Sequence, residues 1–460
     1  MNKIDLLKNR RAEVLENGKE IRAKIAELTD ESSFAEFDSY SFSKNEFYSA
    51  AGGEGVITGA ASINENSVYI AAQNAEVLSG GLTKANCEKI VKCQIKALRS
   101  GSAMIYLLNS KGVAVGEEVS VLEGIAEVLA EMQELKGEVP QIAVCIGEVY
   151  GSNALIAAAC DYNFTLKNAC VSYNSPLVLA AKSGKKADGD DIGGVKSAKY
   201  NGLTTFAADD MLFVRDTVTK ILDVLPDYNG EVETMDDLNR TAPELNEKTC
   251  ENCIISAVFD KDYFIELNAD YAPEVKVGVG RVGGISCGAI IFGGGEKGVE
   301  LDNLNVAKIK EFVYYCGENN LPLLTFVNTL GIKANETVAK SAILKEISNL
   351  TYALYTLETP RVNVVYKNAV GLGYTIFGSK ALGADYSYAF ATSKISLFET
   401  EKGAMIEFAG VNEKNHDEAA KKYADEVQDP FNAAKNGFID DVIEPQFVRQ
   451  YVIAALQRLA

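Results

Sequence analysis

Apolar residues along this chain keep one of two rhythms, and the switches between them mark its elements. Residues 3–28 carry them at helical spacing among Lys, Arg and Glu until Ser32-Ser33 breaks the pattern, which predicts one N-terminal amphipathic helix. From Gly55 short β-type runs take over, Gly55-Val56-Ile57-Thr58-Gly59 and Ser67-Val68-Tyr69-Ile70-Ala71-Ala72, followed by a turn at Ser79-Gly80-Gly81. A helix over 84–100, a buried strand over 103–108, a helix over 118–135 and a strand over 141–146 come next. Parallel strands need such crossovers, so the order predicts an α/β fold with a mostly parallel sheet. The last strand ends in Gly147-Glu148-Val149-Tyr150-Gly151-Ser152-Asn153, and a helix with a small-residue face follows from Ala154.

The same text then returns. Gly55-Val56 recurs as Gly278-Val279 after 223 residues, Leu108-Asn109-Ser110 as Val327-Asn328-Thr329 after 219, Tyr150-Gly151-Ser152 as Val370-Gly371-Leu372 after 220, and Asp161-Tyr162 as Asp385-Tyr386 after 224. Unrelated halves would not hold that register through four landmarks, so the chain reads as one unit duplicated. The polar segment near 228–250 is the expected linker, giving domains over 1–235 and 250–460. Two domains also suit the length of 460 residues, since single cores stop growing at roughly 250–300.

A net charge of -19 argues against a nucleic-acid partner, which needs a basic face, and leaves any anionic ligand to local groups. No apolar run approaches the roughly 20 residues of a membrane span, and the charged start Asn2-Lys3-Ile4-Asp5 is no signal sequence, so a cytoplasmic protein is expected. The nine cysteines, at 87, 93, 145, 160, 170, 250, 253, 287 and 316, read as reduced core thiols. Cys250 and Cys253 have CxxC spacing, but no second Cys or His pair stands near, and no metal is expected. The one histidine, His416, sits in a polar stretch that suits a solvated helix edge, which removes Ser-His-Asp catalysis. Gly278-Val279-Gly280-Arg281-Val282-Gly283 imitates a dinucleotide fingerprint, yet it lies in a β-type run and predicts a hairpin. What remains is the pair of glycine turns. A glycine turn between a strand and a helix aims backbone N–H groups into the space before the helix, which is the making of an oxyanion hole.

From Leu6 onward the chain resembles the carboxyltransferase subunits of biotin-dependent acyl-CoA carboxylases and decarboxylases, of the propionyl-CoA carboxylase beta-chain type. The resemblance rests on Gly55 to Gly59, Pro140 to Val144, Asp260-Lys261-Asp262-Tyr263-Phe264-Ile265-Glu266-Leu267, Gly280 to Gly284 and Pro322 to Phe326. Above all it rests on the run from Asp429-Pro430-Phe431-Asn432 to Ile443-Glu444-Pro445. It implies two tandem crotonase-like domains in an oligomer, acyl-CoA as substrate and biotin on a separate carrier protein. The family's two glycine turns match Tyr150-Gly151-Ser152 and Val370-Gly371-Leu372-Gly373-Tyr374. The implied oxyanion donors are therefore Gly151 and Ser152 for the thioester, and Leu372 and Gly373 for biotin.

The resemblance further implies substrate contacts at Gly80, Gly81, Ser110, Gly112, Tyr374 and Thr375, and biotin-side contacts at Gly331 and Gly371. A basic stretch that clamps CoA phosphates in the family is missing between Ile21 and Arg22, which leaves Arg22 and Lys24 for that role. Ser152 and Leu372 replace glycines, and the loop from Ser110 to Glu118 lacks the family's arginine. A non-catalytic subunit beside an active paralogue is thus one alternative, and a biotin-independent crotonase-type enzyme is another.

Overall fold

The computed structural model describes residues 2–41, 55–225, 234–412 and 415–459. It divides into two compact units, Met1–Leu222 and Asp223–Ala460.

In the first unit the strands are β1 (Ala35–Phe37), β2 (Val56–Ile63), β3 (Asn66–Gln73), β4 (Ala103–Ser110), β5 (Gln141–Tyr150), β6 (Tyr162–Leu166), β7 (Cys170–Ser172) and β8 (Phe206–Ala208). They form one sheet in the order β1-β2-β3-β4-β5-β6-β8, with β7 paired to the end of β5. From β3 onward every pairing is parallel, while β1 and β2 add antiparallel edges.

The second unit repeats the scheme with β9 (Phe264–Leu267), β10 (Val275–Val282), β11 (Ile285–Phe292), β12 (Val299–Leu301), β13 (Leu323–Ile332), β14 (Arg361–Val370), β15 (Tyr386–Phe390), β16 (Lys394–Ser396) and β17 (Asp441–Ile443). Its order is β17-β15-β14-β13-β11-β10-β9, with β12 on β13 and β16 on β14. β10 and β11 are the hairpin expected around Gly283.

The duplication extends to single side chains. Helix Lys84–Ser100 is capped by Thr83 and buries Cys87, Ile90, Cys93 and Ala97, an i, i+3, i+6, i+10 stripe that packs on the sheet. Its counterpart Asn303–Glu318, capped by Asp302, buries Val306, Ile309, Phe312 and Cys316 at the same positions 219 residues on. Each helix also carries a buried lysine, Lys89 donating to Val56 O and Lys308 donating to Asn268 O at 2.9 Å and Tyr271 O at 2.6 Å. Asp161 takes the Gln141 N–H at 2.8 Å, and Asp385 takes the Arg361 N–H at 2.8 Å. At the hairpin turns Asp30 accepts the N–H groups of Asn64 and Glu65 and pairs with Arg215, as Asp260 accepts those of Gly283 and Gly284 and pairs with Arg449.

The structure differs from the sequence reading in three places. The N-terminal helix is two, Lys3–Glu16 and Lys19–Leu28, because Gly18 adopts φ 73° and hands its N–H to Glu76 at 2.9 Å. Of the expected linker, residues 228–233 lie outside the described residues, but 234–250 belong to the second unit, with Ala242 and Leu245 in its core. Cys250 and Cys253 are half-buried and joined by a disulfide, so they are not reduced core thiols; the other seven cysteines are free. No described helix is long and apolar enough to cross a membrane.

Candidate active site

At the end of β5 the chain reverses through Gly151, whose φ of 63° and ψ of -131° suit a residue without a Cβ. Helix Ser152–Ala159 starts immediately. Sequence reasoning expected the Gly151 N–H as a donor to substrate. It instead donates to Tyr173 O at 3.1 Å, because β7 pairs alongside and brings that carbonyl to the turn. The Ala154 N–H turns back to Gly151 O at 3.1 Å. That leaves the N–H groups of Ser152 and Asn153 at the head of a helix that offers them no acceptor, at its positive dipole end.

Asn153 was not singled out from the sequence, yet it fixes this turn. It is fully buried; its amide donates to Ser110 Oγ and Gly112 O, both at 3.0 Å, and its carbonyl accepts from Gln73 Nε2 at 2.6 Å. Gln73 in turn takes the Asn109 N–H at 2.9 Å. One side chain thus ties β3, the end of β4 and the helix start together, with its hydrogen-bonding groups satisfied in a buried setting.

The second turn repeats the plan. Gly371 has φ 53° and donates its N–H to Ser396 O at 2.9 Å, so it too is committed to a flanking strand. Thr375 closes back on Gly371 O through both its N–H at 3.2 Å and its hydroxyl at 3.3 Å. The N–H groups of Leu372 and Gly373 are left, 220 residues after those of Ser152 and Asn153. They stand near Gly331, where a Cβ would lie 3.4 Å from Val370 O, 3.8 Å from Gly373 N and 3.9 Å from Leu372 N, so a side chain there would sit against both amides. Gly331 gives its own N–H to Thr329 Oγ1 at 3.1 Å, as Gly112 gives its N–H to Ser110 Oγ at 3.2 Å. Leu372 is 45% exposed, Tyr374 is half-buried and Thr375 is exposed.

The remaining expected contacts lie in several places. Gly80 packs against the end of β4, where a Cβ would fall 2.0 Å from Asn109 O, and Gly81 closes a turn on Leu78 O at 3.0 Å. Arg22, expected to meet phosphate, is spent on Glu36 in a two-pronged pair at 2.5 and 3.0 Å, and its guanidinium also reaches Val14 O. Lys24 pairs with Glu27 on the helix surface at 2.9 Å.

Beside the first turn, Lys111 pairs with Glu148 at 2.9 Å, and Glu148 accepts the Tyr150 hydroxyl at 3.3 Å. Burial, with Cys170 and Glu148 close by, raises the Tyr150 pKa and keeps the phenol protonated. Beside the second turn, a cleft lined by Gly294, Gly298 and Leu330 carries two lysines, Lys297 and Lys333, among four carboxylates, Glu274, Glu300, Asp302 and Glu399. No group of three or more His, Cys, Asp or Glu side chains able to hold a metal stands among the described residues.

The family model described as the carboxyl transferase domain matches residues 13–460. The carboxyltransferase subunit of propionyl-CoA carboxylase from Haloferax mediterranei is 29% identical over 100% of this chain and 96% of its own length. The alpha subunit of methylmalonyl-CoA decarboxylase from Veillonella parvula is 30% identical over 95% of this chain and 89% of its own. A transcarboxylase 12S structure, described as a hexamer with methylmalonyl-coenzyme A bound, has a TM-score of 0.90 at 24% identity, covering 99% of this chain and 95% of that one. That last likeness concerns the fold, and it agrees with the two sheets described above. With a match that takes in both units and both glycine turns, the chain belongs to the carboxyl transferase domain family.

Proposed function

We propose that this protein is the carboxyltransferase component of a biotin-dependent acyl-CoA carboxylase or decarboxylase, moving a carboxyl group between biotin on a carrier protein and an acyl-CoA. The observation that carries the reading is the repeated pair of uncommitted N–H groups, Ser152 with Asn153 and Leu372 with Gly373. Removing a carboxyl from the carbon next to a thioester leaves a carbanion whose charge moves onto the thioester oxygen. Two preorganised amides at a helix start would hold that oxygen without any titrating side chain, and each such donor is worth about 2.7–4 kcal/mol.

The second pair would suit a urea-type oxygen, since glycine at 331 keeps a side chain away from the amides of Leu372 and Gly373. Biotin on its carrier, when bound, supplies the ureido group that carries the carboxyl. Leu372 and Gly373 would hold its oxygen. The relatives' names, propionyl-CoA carboxylase and methylmalonyl-CoA decarboxylase, support short branched malonyl-type esters as the substrate class.

Arg22 favours a second reading. With its charge taken by Glu36 the phosphate clamp is weak, as in a subunit that keeps the fold beside an active paralogue. Purified protein incubated with biotin and malonyl- or methylmalonyl-CoA separates the two. Biotin-dependent loss of the carboxyl supports the first reading, and absence of both turnover and CoA binding at millimolar ester refutes it.

A further inference from the structure

The nine cysteines fall into two physical classes. Seven are free thiols, and all but the half-buried Cys160 are enclosed. Burial pushes Cys87 and Cys93 up to about 12 and holds the other five above the ordinary thiol value, so none of the seven supplies a thiolate near neutral pH. Cys250 and Cys253 are the opposite. They lie half-exposed at a loop-to-helix junction, with the exposed Lys248 just before them and the exposed Asn252 between them, already joined to each other.

Their position favours exchange chemistry. Cys250 caps helix Glu251–Val258, and its Sγ accepts the Cys253 N–H at 3.1 Å. A sulfur at the head of a helix is stabilised as the thiolate by the unpaired N–H groups there, and thiolate is the form that attacks or leaves in disulfide exchange. The two-residue spacing keeps both sulfurs in reach after reduction.

We infer that Cys250 and Cys253 form a thiol–disulfide exchange site that opens and closes against an external dithiol or disulfide. In the oxidising direction one cysteine thiolate attacks the external disulfide and expels one of its sulfurs as a thiolate, which takes up a proton. The second cysteine then attacks the mixed disulfide, closing the Cys250–Cys253 bond and releasing the second external thiol. Two electrons and two protons pass from the pair to the external disulfide, and reduction is the reverse.

The state of the pair has a route into the rest of the second unit. Glu251, between the two cysteines, lies against Gly293, where a Cβ would stand 3.6 Å from the Glu251 carboxyl. Gly293 O and Gly295 O both accept from Asn328 Nδ2, at 2.6 and 2.8 Å, and Gly294 lines the cleft that holds Lys297 and Lys333. Opening the disulfide frees the first turn of the helix and so loosens the loop 293–295. This inference is independent of the carboxyl-transfer reading.

Folded, full-length protein equilibrated across ratios of reduced to oxidised glutathione, quenched in acid, unfolded and alkylated with N-ethylmaleimide tests it. Both cysteines fall in the tryptic peptide Thr249–Lys261. The expected result is a switch from two labels to none on that peptide, complete over a roughly hundredfold range of the glutathione couple, while the other seven cysteines take label throughout. Hydrogen exchange at 293–295 is expected to be faster in the reduced form, and a Cys250→Ser/Cys253→Ser variant to lose the difference. Two labels at every ratio, no label at every ratio, or one label with a standing glutathione adduct overturns the exchange site. Equal hydrogen exchange in the two states overturns its coupling to the loop.

Discussion

Ser152→Pro tests the oxyanion reading at a single hydrogen. Ser152 is the first residue of its helix, the one helical position where proline costs little, because the N–H it removes has no helical acceptor and proline's φ is already helical. The residue before it also permits the change: Gly151, at ψ -131°, stands outside the α region that a following proline forbids. The substitution therefore deletes one of two donors and leaves the Asn153 N–H and the Asn153 side-chain contacts in place. Losing one such donor costs about 2.7–4 kcal/mol of transition-state stabilisation, or roughly a hundred- to a thousandfold in kcat. Ser152→Ala, which keeps the N–H, should stay close to the wild type. Biotin-dependent decarboxylation of methylmalonyl-CoA gives the rates, and thermal unfolding shows that both variants fold. If both unfold at the wild-type temperature and Ser152→Pro turns over as fast as Ser152→Ala, the amide does no catalytic work and the reading fails.

Gly373→Ala puts a Cβ 2.5 Å from Thr329 Cγ2, so it should impair turnover and lower the unfolding midpoint; adding Thr329→Ser, which removes that methyl, should restore much of both. Arg449→Met strands the Asp260 carboxylate in a site where both residues are buried, and urea unfolding should show a loss of about 3–5 kcal/mol. The duplicate pair Arg215–Asp30 is more exposed, and Arg215→Met should cost no more than about 1 kcal/mol by the same assay. Lys308 has its pKa pushed down to about 8 by burial. Between that value and the ordinary lysine pKa of about 10.4 the unfolded chain binds the extra proton, so stability contributed at this site rises with pH through that window and is lowest below it. Urea unfolding of the wild type relative to Lys308→Met should rise accordingly between about pH 8 and 10; a flat difference refutes the burial of a charged amine.

The sheets, the crossovers and the duplication were legible because they are written in short-range periodicity. Helix Lys84–Ser100 falls where its apolar spacing puts it, and β4 and β5 only run on past the apolar core of each strand, by 2 and 4 residues, to Ser110 and Tyr150. The facts that decide the site come from pairings no local pattern records. Whether the Gly151 N–H is free depends on Tyr173, and whether Gly371 is free depends on Ser396, each more than twenty residues on and brought back by a three-residue strand. Arg22 looks like a phosphate ligand until Glu36 is seen beside it. The Cys250–Cys253 bond is likewise a matter of where a loop meets a helix.

The register of the duplication bears on the choice of donors. The offset of 220 that carries Gly151 to Gly371 also carries Ser152 to Leu372 and Asn153 to Gly373. Choosing Gly151 with Ser152 on one side and Leu372 with Gly373 on the other breaks that register by one residue. Once it is restored, the difference between the turns becomes a local exchange of volume. The second unit has Thr329 and needs glycine at 373 to clear the Thr329 methyl; the first has the smaller Ser110 at the equivalent place, and an asparagine fills the gap and hydrogen-bonds to it. Each substitution makes sense only with its partner. Across that exchange of side chains the two turns present the same pair of backbone N–H groups, Ser152 with Asn153 and Leu372 with Gly373, each without a backbone acceptor beside a glycine whose own N–H is bound to a flanking strand.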